Sequence, residues 1–119
     1  MLYLTQISKD LAAARGATHG SDRWNDIFMS AVRMALREIN TETQLEATIV
    51  SAEDEDTELE QTHEHHVSTV IEYYLDARNE YAVDPKRDSF ALKNRAIIKL
   101  RRLYYADNPP NGMMGDEPA

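Results

Sequence analysis

The sequence predicts a mainly α-helical fold. It reads as a small bundle of about four helices, with a short β-hairpin or extended segment between helices 2 and 3 and a flexible C-terminal tail. Three observations predict this. Apolar residues recur at helical spacing in four separate stretches. Between residues 45 and 50 the apolar period drops from 3.6 to 2. Beyond Ala106, the residues Pro109, Pro110, Gly112, Gly115 and Pro118 support neither helix nor strand. At 119 residues the chain holds one domain, 1–105, and a tail, 106–119. A chain of this length hides roughly two-thirds of its unfolded surface on folding, enough for a modest core without staples.

The first helix is short. Leu4, Ile7 and Leu11 share a face, Thr5 is placed to cap the free N–H groups, and Gly16 sits where a left-handed stop is wanted. Ala12, Ala13 and Ala14 favour helix, but about three turns cannot stand alone, so the apolar side must dock on the rest. Residues 16–20 form a joint. The second helix, from about 22 to 39, is the clearest in the chain. Trp24, Ile27, Phe28, Ala31, Val32, Ala35, Leu36 and Ile39 follow the i, i+3, i+4, i+7 template. Ser21 is a natural N-cap, Asp22 and Asp26 suit the positive helix end, and Asn40 suits the exit. Arg23, Arg33, Arg37 and Glu38 take the outer face.

Leu45, Ala47 and Ile49 then alternate with Glu46, Thr48 and Val50, the pattern of a short strand. Residues 53–60 carry six carboxylates: Glu53, Asp54, Glu55, Asp56, Glu58 and Glu60. Such a block repels itself and predicts a turn or mobile loop, with room for a second short strand around 57–61. A lone two-stranded hairpin is marginal in water and needs cover from the helices or from a neighbouring copy.

The second half reads as a helical pair. From 66 to about 80, Val67, Val70, Ile71, Tyr74 and Leu75 lie on one stripe. Val83, Asp84 and Pro85 break it, and either Asp84 before Pro85 or Asp88 can start the last helix. That helix runs to about Tyr105. Phe90, Ile97, Ile98, Leu100, Leu103 and Tyr104 cover more than half its circumference, as in a helix touched from two sides.

Composition removes several function classes. There is no cysteine, hence no disulfide, thiolate metal site or thiol nucleophile. With 21 acidic and 13 basic residues the net charge is -8, which offers duplex DNA no overall attraction. No apolar run approaches the roughly 20 residues a bilayer needs, so no membrane association is expected. Gly-x-Ser-x-Gly and glycine-rich phosphate loops are both missing, and neither an enzyme activity nor a cofactor is expected. His63 and His66 are weak metal candidates: on a helix they share a face, but Val67 stands where a zinc-protease helix needs its second histidine. The plainer reading is a polar helix start with exposed histidines. The 53–56 block lacks the alternate ligand spacing and central glycine of a calcium loop.

Seven of the basic residues fall within 86–102. Arg95, Lys99 and Arg102 lie on one face, and Glu72, Asp76 and Glu80 form a matching acidic column on the preceding helix. Ion pairing between the columns, within or between chains, outranks DNA contact, because no aromatic–basic stacking platform accompanies the basic face. These six residues are therefore the candidate subunit interface.

The stretch Arg23-Trp24-Asn25-Asp26-Ile27-Phe28 through Ala35-Leu36-Arg37-Glu38-Ile39-Asn40 resembles the second helix of phage head–tail connector (adaptor) proteins. Val70-Ile71-Glu72-Tyr73-Tyr74-Leu75-Asp76, a short break, and a basic helix ending in Tyr104-Tyr105 extend the likeness over roughly residues 5 to 105. The resemblance implies a structural virion protein at the neck of a tailed phage, assembled in the host cytoplasm. It would form a dodecameric ring under the portal protein, extend the DNA channel, and dock a stopper or tail-completion protein. It also implies that the C-terminal segment reaches the portal, which maps onto Asp107, Asn108, Pro109, Pro110, Asn111, Met113 and Met114. The acidic block Glu53, Asp54, Glu55 and Asp56 would then lie at the channel or rim, where a negative wall lets DNA pass without specific binding. The alternative is a small helical nucleic-acid-binding regulator that uses the basic helix 86–102.

Overall fold

The longest helix organises the molecule. In the computed structural model, which describes residues 2–56, 59–78 and 88–107 (the last four as backbone), α2 spans Asp22–Thr43. Its start is the expected one: the Ser21 hydroxyl accepts the Trp24 N–H at 3.2 Å. Trp24, Phe28, Val32, Ala35 and Ile39 are fully buried along one side. The helix continues a full turn beyond Ile39, to a left-handed step at Gln44 (φ 63°). Asn40 is therefore inside the helix, and its side chain serves a different purpose described below.

Helix α1, Leu4–Ala14, docks Leu4, Ile7, Leu11 and Ala12 into the same core. It stops as the sequence predicts. Gly16 takes a left-handed conformation (φ 69°), and the Ala17 N–H reaches back to the Ala12 carbonyl at 2.9 Å. Thr5 does not cap it. Tyr3 occupies the cap position without a side-chain bond, and the Thr5 hydroxyl instead donates to the Ala52 carbonyl at 2.9 Å.

Helix α3, Glu64–Arg78, is preceded by a 3₁₀ turn, Gln61–His63, and contributes Val67, Val70, Ile71 and Leu75 to the core. It runs antiparallel to α2: Tyr74 meets Glu38 and Arg78 meets Ser30. Helix α4, Ser89–Asp107, returns parallel to α2, with Lys93 on Glu38 and Arg101 on Glu42. Asp88 is the start used, its carboxylate accepting the Ala91 N–H at 3.0 Å; Asp84 and Pro85 lie outside the described residues. Ala96, Ile97 and Leu100 are buried, while Phe90 and Ile98 stay 58% and 45% exposed.

The region between α2 and α3 is extended, as predicted, but its pairing differs from a local hairpin. β1 (Leu2–Tyr3) pairs antiparallel with β2 (Glu55–Asp56), Leu2 opposite Asp56 and Tyr3 opposite Glu55. Residues 45–50 keep the period of two: Leu45, Ala47 and Ile49 are buried, and Glu46, Thr48 and Val50 are exposed. Yet this stretch joins no ladder. The second strand expected around 57–61 is not formed in its described part, where Leu59 is fully buried and Gln61 opens the 3₁₀ turn; Thr57 and Glu58 lie outside the described residues.

Candidate functional site

Residues 44–54, ahead of the short β2 strand, are held largely by side chains rather than by a sheet. Asn40, one turn from the end of α2, treats Ala47 as a strand partner: its Nδ2 donates to the Ala47 carbonyl at 2.8 Å and its Oδ1 accepts the Ala47 N–H at 3.2 Å. The Thr48 N–H goes to Asp56 Oδ2 at 2.7 Å. Those of Val50 and Ser51 converge on Asp54 Oδ2, at 3.1 and 2.9 Å. Each such bond satisfies a backbone group that has no strand partner.

The expected self-repelling acidic loop is thereby corrected. Asp56 is buried and Asp54 half-buried, each as a hydrogen-bond acceptor, whereas Glu53 and Glu55 remain exposed. The N–H groups of Ser51 and Val50 hold the Asp54 carboxyl below the usual aspartate range. Glu55 acts in the opposite sense on Tyr3, whose hydroxyl it holds above its ordinary value by a hydrogen bond and by its charge.

Two further ionic clusters tie the helices together. Arg15, with its side chain fully buried, donates to Asp76 at 2.7 Å and to Glu72 at 3.3 Å. Asp76 also accepts from the Ser89 hydroxyl, so α1, α3 and the start of α4 meet at one carboxylate. On the other side of α3, Glu38 accepts from Tyr74 and from Lys93, the latter at 2.9 Å. The Lys93 ammonium also lies 4.6 Å from the Tyr73 ring centre and 4.8 Å from that of Phe90, a cation–π sandwich. Burial first, and then the Glu38 bond, pushes the Tyr74 hydroxyl far above its ordinary range.

The two charged columns read from the sequence do not pair with each other among the described residues. Glu72 and Asp76 serve Arg15, and Glu80 lies outside the described residues. The α4 cations that find partners are Lys93 and Arg101. Arg95, Lys99 and Arg102 are exposed and make no ion pair among the described residues. Sequence reading missed Arg15 altogether. The available signal was the four-residue spacing of Glu72 and Asp76, which marks a shared partner without saying which. Glu38 and Glu42 have the same spacing but take separate partners, Lys93 and Arg101.

The histidines divide. His63 is buried, not exposed, and its Nδ1 accepts the Glu60 N–H at 3.3 Å, so it caps the start of the α3 segment. His65 is exposed and His66 half-buried; burial first, then the neighbouring His65, Lys99 and His63, lower the His66 pKa. No group of three or more His, Asp or Glu side chains placed to hold a metal occurs among the described residues. His65, His66 and Thr69 of α3 instead face Leu92, Arg95, Ala96 and Lys99 of α4 across a groove of about 180 Å³.

A second, wider cleft of about 380 Å³ lies between α2 and the 50–53 turn, bordered by Asn25, Met29, Arg33, Val50 and Glu53. Among the described residues no helix is long and apolar enough to cross a membrane. Asp107 ends α4, and Asn108, Pro109, Pro110, Asn111, Met113 and Met114 lie outside the described residues. No protein-family model matches the chain, and neither a curated protein nor a solved structure does so.

Proposed function

We propose that this chain is a structural virion protein of a tailed phage, a head–tail adaptor that forms a ring under the portal, extends the DNA channel and docks a stopper or tail-completion protein. The outer side of α4 carries this reading. It exposes Phe90 and Ile98 together with three cations, Arg95, Lys99 and Arg102, that have no ion-pair partner among the described residues. A helix finished in this way is suited to burial against another protein, where apolar anchors and complementary charge set affinity and register. The net charge of -8 also suits a conduit, since a negative wall repels phosphates instead of gripping them. The chemistry asked of the chain is therefore assembly, with no catalytic group and no cofactor. Size-exclusion chromatography with light scattering, with and without purified portal, tests it. The expected result is a ring-sized species that forms alone or on the portal; a monomer that ignores the portal at all concentrations overturns the reading.

The second reading is a nucleic-acid-binding regulator, favoured by the placement of Arg95, Lys99 and Arg102 on one exposed face. It requires duplex binding by the isolated chain that weakens steeply as salt rises.

A further inference from the structure

We infer that the groove between α3 and α4 receives the 50–55 turn of a second copy of this chain. The inference deepens the ring reading and rests on its premise of self-association, to which it adds the two surfaces that meet.

The groove has an uneven chemistry. Leu92 and Ala96 make an apolar floor, and Arg95, Lys99, His65 and Thr69 stand around it. It has no carboxylate in its lining, on a chain where acids outnumber bases 21 to 13. Arg95 and Lys99 are four residues apart and so project from the same side of α4. An occupant that fits must offer a small apolar group flanked by carboxylates.

The chain presents one such element among the described residues. Val50, at 84%, is the most exposed of the described large apolar side chains, and Glu53 and Glu55 follow it, both exposed. This turn is held in shape. Asp54 accepts the N–H groups of Val50 and Ser51, the Asp54 N–H returns to the Ser51 carbonyl at 3.1 Å, and Thr5 binds the Ala52 carbonyl. A preformed turn loses little conformational entropy on docking, which leaves more of the contact energy for affinity.

The turn cannot reach the groove of its own molecule. It packs beside Met29 and Arg33 of α2, whereas α4 is tied to Glu38 and Glu42. Each of those glutamates is nine residues beyond its counterpart, about two and a half helical turns, and so on the opposite side of α2. Donor and receptor surfaces on opposite sides of one molecule make a heterologous contact, which repeats from copy to copy and closes into a ring when the rotation allows.

The absence of cysteine gives a clean test. A Val50→Cys chain and a Thr69→Cys chain are mixed and oxidised, alone and in the presence of portal. A heterodimer cross-link that exceeds either homodimer is expected, and its absence in both conditions overturns the inference. In a second arm Arg95→Glu with Lys99→Glu, and separately Glu53→Lys with Glu55→Lys, should each weaken self-association more than about tenfold. Mixing these two folded variants should restore it, because each then supplies the surface the other lacks. Ring formation without cross-link or charge rescue leaves the adaptor reading standing and removes this interface. A cross-link without closed rings does the reverse. Duplex DNA binding that is lost in the Arg95→Glu, Lys99→Glu variant would assign the groove to a polyanion and overturn the inference as well.

Discussion

The helical bundle and the extended 44–56 strap are supported in opposite ways. In α2, α3 and α4 the backbone satisfies itself within each helix, and side chains are left to bury apolar surface: Trp24, Phe28, Ile71, Leu75 and Leu100 are all at most 1% exposed. In the strap the division is reversed. Backbone pairing comes mainly from a two-residue ladder, Leu2–Tyr3 with Glu55–Asp56, and from the bonds from Leu4 N–H to the Asp54 carbonyl and from Asp54 N–H to the Ser51 carbonyl, while Asn40, Asp54 and Asp56 side chains take up other backbone groups. The comparison teaches that a carboxylate's place in the sequence says little about its duty. Within one acidic run, Asp54 and Asp56 turn inward as acceptors while Glu53 and Glu55 turn out. Aspartate's shorter side chain suits this, since it reaches nearby backbone N–H groups that glutamate overshoots.

The largest effect should come from the bundle. Trp24 is fully buried, packs its ring 5.7 Å from that of Phe28, and donates from Nε1 to the Ser8 hydroxyl at 2.9 Å. Trp24→Ala should lower global stability by about 3–5 kcal/mol, seen as a fall in urea midpoint by circular dichroism. A loss below about 1 kcal/mol would mean that the core is not centred on α2.

A smaller and more local loss should come from the strap. Asp56→Ala strands the Thr48 N–H and should cost about 1–3 kcal/mol. Hydrogen exchange should accelerate first over residues 45–51 and leave α3 and α4 protected. Uniform acceleration through the bundle would erase the contrast drawn above.

The smallest effect should be set by pH. Asp54 titrates below the ordinary aspartate value because its charged form accepts two backbone N–H bonds. A carboxyl lowered by folding stabilises the native state above its unfolded pKa, and that contribution fades as pH falls through the lower folded value. Protection of the Val50 and Ser51 amides should therefore decline on acidification in the native chain. In Asp54→Asn the same amides should be less protected at neutral pH and indifferent to acid; an unchanged acid profile in that variant would place the titrating group elsewhere.

Much of the fold was legible because helices are specified locally. The i, i+3, i+4 pattern of α2, the Ser21 cap and the Gly16 stop involve residues within a turn or two of each other. The strap was legible in its period and not in its pairing, since alternation reveals which side chains are buried but not whose carbonyls answer the backbone. The candidate surfaces were legible in part. Arg95, Lys99 and Arg102 read as one face of the last helix, and all three side chains are exposed. Their assumed partners Glu72 and Asp76 turned instead to Arg15, about sixty residues away in the chain, across a contact that no local pattern encodes.

By itself, then, the amino-acid order determined four helices, their apolar sides, an extended connection and an acidic chain without thiol chemistry. Only the tertiary arrangement decided which cation meets which carboxylate, that His63 turns inward as a cap, that the N-terminus supplies the partner strand, and that α3 and α4 frame a basic groove while the 50–53 turn lies against α2. The physical reason is range: helical periodicity and capping act over a few residues, while ion pairs and strand partners are chosen by whatever the packed core brings within hydrogen-bond distance.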